Sequence, residues 1–220
     1  MNEPLHLDEL GRLRDGHGRI YDPAGQGWRS DDGDGRRVAL QSPSGRPAPG
    51  ALLSPVAAVT WLQTRSGHPL RVPVGVIGPR DATATQWASA RAIGVGLGQM
   101  GLAVVCGGRH GVMEAVALGV REAGGISIGI LPDATPAPAN PHLSFVLATG
   151  LGEARNAVIA RSAFALIAIG DSYGTLSEVA LGLQFGKRVF GLDGAARVDG
   201  VEHHDGADAV LAALALHLLA

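Results

Sequence analysis

From residue 72 onward, short runs of apolar residues alternate with longer stretches in which apolar positions recur every three or four residues. The first pattern predicts buried strands and the second predicts helices packed against them. Val72–Ile77, Leu102–Cys106, Ile126–Leu131, Leu143–Leu147, Phe164–Ile169 and Arg188–Leu192 read as strands. Helices are predicted from an N-cap at Thr83 or Thr85 to Gly101, then over Gly111–Ala123, Glu153–Ser162 and Thr175–Phe185. Ala207–Leu219 closes the chain as an amphipathic helix. Strands that are apolar throughout and separated by helices imply a parallel sheet covered on both faces. The predicted fold is α/β, a doubly wound parallel sheet over residues 71–220.

Residues 1–70 follow another pattern. The first fifty are rich in Gly, Asp, Arg and Pro with few clustered aliphatics, and only Arg19–Tyr21 and Val38–Leu40 suggest small strands. Apolar spacing over residues 52–63 predicts a short helix beginning after Ser54-Pro55. No repeat or low-complexity tract is visible. The expectation is a loop-rich N-terminal extension that leans on the sheet domain without a core of its own.

Composition narrows the function classes. Eighteen basic residues against 20 acidic ones give a net charge of −2, and no Lys/Arg cluster offers a basic face to nucleic acid. A hydrophobic fraction of 46% excludes wholesale disorder. Glycine, at 33 of 220 residues, is about twice as frequent as usual, and the glycines are expected at turns. The single cysteine, Cys106, excludes an intrachain disulfide and a multi-thiolate zinc site. Met1-Asn2-Glu3-Pro4 lacks the start of a secretory signal, and the run Ala209–Leu216 is too short to span a bilayer. A soluble, cytoplasmic protein with no membrane partner is expected.

In doubly wound sheets, ligands bind where loops leave the carboxyl ends of the strands. Three such loops stand out. In Gly78-Pro79-Arg80-Asp81-Ala82-Thr83, Gly78 offers backbone amides and Arg80 a fork for an anion; a tight turn with a solvated arginine is the plainer reading. In Cys106-Gly107-Gly108-Arg109-His110-Gly111-Val112-Met113, the glycines allow a ligand to approach the backbone closely. Cys106 there reads as a small buried hydrophobe rather than a nucleophile, and Arg109 and His110 either line a site or face solvent. In Gly170-Asp171-Ser172-Tyr173-Gly174-Thr175-Leu176-Ser177-Glu178, Gly174-Thr175 opens a helix and Glu178 lies one turn below on the same face. A carboxylate there suits a sugar hydroxyl or a water; it also simply favours a helix N-terminus. Arg155, at the start of the Glu153–Ser162 helix, projects from the same end of the sheet, whereas Arg161 falls on another face, as a structural or surface ion-pair partner.

These motifs resemble the Lonely Guy (LOG) and SLOG superfamily of Rossmann-like proteins, which are often labelled lysine decarboxylases. Cys106–Met113 is similar to the family pattern GGGxxGxM, with Cys106 in place of the first glycine. Gly174, Thr175 and Glu178 match the second half of PGGxGTxxE, while Gly170, Asp171 and Ser172 replace its Pro-Gly-Gly. Arg155 falls at the family's active-site arginine, but Asn156 stands where Lys follows. Arg155-Asn156, together with Gly75–Arg80 and Gly129–Asp133, is closest to the branch of molybdenum-cofactor carrier proteins.

The resemblance implies a small-molecule nucleotide or pterin phosphate as partner, with the molybdenum cofactor or a nucleotide as bound ligand and no required cofactor. It implies ligand or phosphate contacts at Gly78, Arg80, Gly107, Gly108, Gly111, Met113, Ser172, Tyr173, Gly174 and Thr175, and a homo-oligomer, dimer or tetramer. In the catalytic LOG reaction, a nucleoside 5′-monophosphate is hydrolysed at its N-glycosidic bond, and Glu178 and Arg155 would carry that chemistry. Asp171 counts against it, because a like charge about 4 Å from phosphate costs about 4 kcal/mol before screening at an effective dielectric near 20. The expected function is therefore a binding protein, with the phosphoribohydrolase as the alternative and an interaction module built on residues 1–70 as a third reading. A nicotinamide-dependent oxidoreductase fits less well, since the first turn is not GxGxxG and the second strand ends in Cys106 rather than an acid. His203-His204-Asp205 reads as a solvated loop, and no metal site is assigned.

Overall fold

The structure, a computed structural model, describes residues 4–25, 27–31 and 50–220; the expected strand Val38–Leu40 lies outside the described residues. Its contacts divide the chain into two compact units, residues 70–214 and residues 1–69 together with 215–220.

The larger unit carries seven strands: β6 (Val74–Ile77), β7 (Val104–Cys106), β8 (Ser127–Leu131), β9 (Phe145–Ala148), β10 (Leu166–Ile169), β11 (Val189–Leu192) and β12 (Val201–His203). They form one sheet in the order β12-β11-β10-β6-β7-β8-β9, and every neighbouring pair is parallel. β6, β7, β10 and β11 are buried at every position, as their unbroken apolar runs require. The helices α2 (Ala84–Gln99), α3 (Val112–Glu122), α4 (Arg155–Ser162), α5 (Tyr173–Gln184) and α6 (Ala207–Leu218) connect or follow these strands. This is the doubly wound, Rossmann-like α/β fold. Among the described residues, no helix is long and apolar enough to cross a membrane.

Two local features depart from expectation. β12 is an extra edge strand that includes His203; three residues with Glu202 at the centre make no apolar run, so pattern alone does not reveal it. His204 follows it, with its ring 5.9 Å from that of Phe190 and Nε2 3.1 Å from Glu202 Oε1, so this stretch is not a free solvated loop. The glycines also do more than form turns. A Cβ on Gly94 of α2 would sit 2.3 Å from the Val116 carbonyl oxygen of α3, and one on Gly119 of α3 only 2.1 Å from that of Arg91. The two helix backbones therefore touch directly. Gly119→Ala is expected to push them apart and lower the unfolding free energy by about 1–3 kcal/mol in urea titration; an unchanged midpoint would show that the helices can separate freely.

The smaller unit is built on an antiparallel sheet of β1 (Leu5–Leu7), β2 (Leu13–Arg14), β3 (Ile20–Asp22), β4 (Gly27–Arg29) and β5 (Leu52–Leu53), in the order β4-β3-β2-β1-β5. Helix α1 (Pro55–Arg65) follows, with Ser54 as its N-cap and Pro55 in its first turn. Leu5, Leu7, Leu13, Tyr21, Ala58, Val59, Trp61 and Leu62 are buried, so the loop-rich extension also carries an ordered antiparallel sheet and helix.

A repeat that hydropathy does not reveal builds its turns. Asp8 and Asp15, seven residues apart, each begin Asp-x-x-Gly-Arg, and Asp22 begins a third copy that keeps its Gly25. In the first two, one carboxylate oxygen accepts the backbone amides two and four residues on, and the other accepts the arginine Nε. Gly11 and Gly18 both take φ of 76°, which closes the turn. Tyr21 Oη and Trp28 Nε1 donate to the carbonyls of Leu218 and Leu219, tying in the last residues of the chain.

Candidate functional site

β6 leads rightward to β7, β8 and β9, whereas β10, its neighbour on the other side, leads to β11 and β12. The chain thus reverses direction between β6 and β10, and loops leaving the two strands diverge to opposite faces. A cavity of about 750 Å³ opens at this point. The loop after β6 contributes Gly78, Pro79, Arg80 and Asp81; the β7 loop and α3 contribute Gly107 and Met113. The opposite wall is Glu153, Arg155 and Asn156 at the start of α4, with Asp171 to Thr175, Ser177 and Glu178 from the loop and first turns of α5.

Most expected site residues therefore meet in one place. Gly108 and Gly111 are not among those lining the cavity. The Gly108 carbonyl accepts from the backbone amide and from Nδ2 of Asn140, which pins the loop, and Gly108 has φ of 75°. Gly111 has φ of 68°, and a Cβ on it would lie 2.1 Å from the Arg80 carbonyl oxygen. Both glycines bring loops together behind the site. Arg109 pairs with Asp133 through Nε at 3.1 Å, and His110 Nδ1 lies 3.2 Å from Glu114, so neither lines the cavity. Arg161 stacks its guanidinium 3.6 Å from the ring centroid of Phe185, where an ion pair was expected. Cys106 is fully buried, and burial pushes its thiol up to about 11, which is unsuited to a nucleophile at neutral pH.

Helix α5 opens two residues before the expected Gly174-Thr175, because Ser172 caps it: Ser172 Oγ accepts the Thr175 amide at 3.1 Å and lies 2.8 Å from Thr175 Oγ1. Thr175 is buried and its polar groups face the cap, so it braces the turn more than it offers a donor. The backbone amides left without helical partners are those of Tyr173 and Gly174. Asp171 also lines the cavity, and its Oδ1 accepts the Ser172 amide at 2.8 Å, so one anionic oxygen already sits at this helix start.

Below that turn, Arg155 Nη1 donates to Glu178 Oε1 at 3.0 Å, with both side chains over nine-tenths buried. Gly107 closes over this pair: a Cβ there would fall 2.7 Å from Arg155 Nη2. Burial pushes the Glu178 carboxyl up to about 7; the adjacent guanidinium opposes the rise and Glu153 adds to it. Asn156, 4% exposed, donates through Nδ2 to Ser177 Oγ at 2.8 Å and more weakly to the Gly174 carbonyl. Of the buried side-chain atoms that have no partner among the described residues, two belong to residues lining this cavity, Arg155 Nε and Asn156 Oδ1.

Asp81, Glu153, Asn156 and Ser177 join the site without having been singled out as site residues. Ser177 lies three residues after Gly174, on the same helical face, so helical spacing could have found it; Asn156 is adjacent to Arg155. Asp81 and Glu153 are exposed, and only the three-dimensional path of their loops brings them to the rim.

The sequence profile of the SLOG cluster4 family matches residues 71–215. An uncharacterized protein of Archaeoglobus fulgidus is 37% identical over 128 residues, covering 58% of this chain and 84% of that one. Among solved structures, the molybdenum cofactor binding protein of the phototrophic bacterium Rippkaea orientalis is 34% identical over 68% of this chain and 88% of its own, with a TM-score of 0.55. The molybdenum cofactor carrier protein of Chlamydomonas reinhardtii is 30% identical over 67% of this chain and 98% of its own, with a TM-score of 0.61. The profile spans nearly the whole parallel-sheet unit and every element that lines the cavity, and the chain belongs to the SLOG cluster4 family.

Proposed function

We propose that this protein binds a phosphorylated heterocycle, a pterin of the molybdenum-cofactor kind, in the cavity between β6 and β10, and holds it without converting it. The observation that carries this reading is the cavity at the β6–β10 reversal, where the loop after β6, Gly107 and Met113 face the starts of α4 and α5. Its volume of about 750 Å³ is ample for a heterocycle and its phosphate. Phosphate is served by the Tyr173 and Gly174 amides and by Arg80, which is half-exposed at the mouth. The names of the two similar solved proteins, a molybdenum cofactor binder and a molybdenum cofactor carrier, support the same ligand class. Holding is favoured over hydrolysis because Glu178 is engaged by Arg155 and Asp171 is already seated at the α5 start.

One observation favours the second reading, a nucleoside 5′-monophosphate phosphoribohydrolase. A carboxyl pushed up to about 7 is matched to general acid–base work at neutral pH. The two readings separate in one experiment. Purified protein is incubated anaerobically with molybdenum cofactor released from a molybdoenzyme, then passed through a desalting column; a parallel sample receives a panel of nucleoside monophosphates. Co-elution of molybdenum and pterin fluorescence with no free base from any nucleotide is expected. Rapid release of base and ribose 5-phosphate, lost in Glu178→Gln, overturns the proposal in favour of the hydrolase.

A further inference from the structure

We infer that Glu153 is a specificity-determining residue at the cavity mouth, which keeps Arg80 from singly charged ligands and yields it to a doubly charged anion such as a phosphate monoester. The inference rests on the binding reading above and says what the charged end of the ligand must be. Among the described residues that line the cavity, Arg80 is the exposed cation, and Asp81, Glu153 and Asp171 are exposed carboxylates. Arg155, the other lining arginine, is 5% exposed and already donates to Glu178. Arg80 comes from the loop after β6, whereas Glu153 stands on the opposite wall, in the single 3₁₀ turn Gly152–Ala154 that leads into α4. The two side chains meet across the mouth, with Arg80 Nη2 4.0 Å from Glu153 Oε1 and exposures of 49% and 71%. Both are therefore accessible to a ligand that enters there.

An ion pair this exposed contributes a factor of only about 2–5. A single negative charge that takes Glu153's place exchanges one such contact for another, and its gain is cancelled by the pair it breaks. A phosphate monoester carries a charge of about −1.5 to −2 at pH 7 and three acceptor oxygens, and it binds a guanidinium fork through two of them. It therefore gains more from Arg80 than Glu153 gave. Asp133 also feels the charge of Arg80, but its carboxylate is taken by Arg109, whose Nε lies 3.1 Å away. The charge of Glu153 reaches inside the cavity too: burial is the main cause of the rise in the Glu178 carboxyl, and Glu153 adds to it. A bound anion that leaves Glu153 in place meets that charge as repulsion.

The test is calorimetric titration of the full-length protein at pH 8 and low ionic strength with adenosine, adenosine 5′-methyl phosphate and adenosine 5′-monophosphate. On one nucleoside these carry no charge, one negative charge and two. The parent protein is expected to bind the first two about equally and the monophosphate more tightly by a factor of about 10. In Glu153→Gln the methyl phosphate is expected to bind about 2–5 times more tightly than adenosine, because no ion pair is broken to admit it. Arg80→Gln is expected to remove most of the advantage of the monophosphate while leaving adenosine unchanged, and provides a second reading if the first variant does not fold. A merely structural role for Glu153 at the start of its helix would lower the melting temperature and leave these ratios as they are. Equal binding of adenosine and the methyl phosphate by folded Glu153→Gln overturns the inference, and so does an unchanged advantage of the monophosphate in Arg80→Gln. Failure of the parent protein to bind the monophosphate at millimolar concentration overturns it as well. Retention of molybdenum cofactor in the desalting experiment in that case leaves the binding function standing, so the two failures are distinguishable.

Discussion

Arg155→Ala is expected to lower the unfolding free energy by about 3–5 kcal/mol at pH 8, the usual range when one partner of a buried ion pair is removed. Most of that loss would come from Glu178, left charged beneath Gly107 with its paired guanidinium gone. The alternative open to the carboxyl is to take up a proton, which the absence of the arginine makes easier. The deficit relative to the parent protein should therefore shrink when the same urea titrations are repeated at pH 5.5. A deficit of equal size at both values would show that lost packing of the arginine stem, rather than an isolated carboxylate, causes the damage. The same variant should also retain ligand less well, because it removes a guanidinium from a residue that lines the cavity.

Comparing the parent protein with Glu178→Gln should isolate the ionisation itself. In the folded chain this carboxyl titrates at about 7, against an ordinary value of 4.5. The folded state thus holds its proton more tightly than the unfolded chain. The resulting stabilisation is fully present below pH 4.5 and is lost as pH rises through 7. At about 1.4 kcal/mol per pH unit of difference, the advantage of the parent over the glutamine variant should fall by about 3 kcal/mol between pH 4.5 and 8. Differencing the two proteins removes every other titrating group from the curve. A flat difference would mean that Arg155 offsets burial completely and that Glu178 is an ordinary carboxylate.

The parallel sheet was legible because its central strands are buried on both faces and therefore apolar at every position. β12 escaped notice because an edge strand of three residues, Val201-Glu202-His203, needs only one apolar contact side. The loops around the cavity could be read from glycine spacing, but their division of labour could not. Gly107 lies against the guanidinium, whereas Gly108 and Gly111 serve the approach of neighbouring backbone; nothing in Gly-Gly-x-x-Gly distinguishes these tasks. The start of α5 was misplaced by two residues because Ser172 outcompetes Gly174 as a cap: its hydroxyl can accept the Thr175 amide, and glycine has no such group. In the smaller unit, the information lay in side-chain-to-backbone bonds of Asp8 and Asp15, which leave no trace in hydropathy.

The smaller unit takes residues from both ends of the chain, since 215–220 group with 1–69 and Trp28 closes on the carbonyl of Leu219. Tyr21 and Trp28 precede the carbonyls they donate to by 197 and 191 residues. During synthesis, then, the parallel-sheet unit can form while the hairpins that carry these two side chains still lack their acceptors.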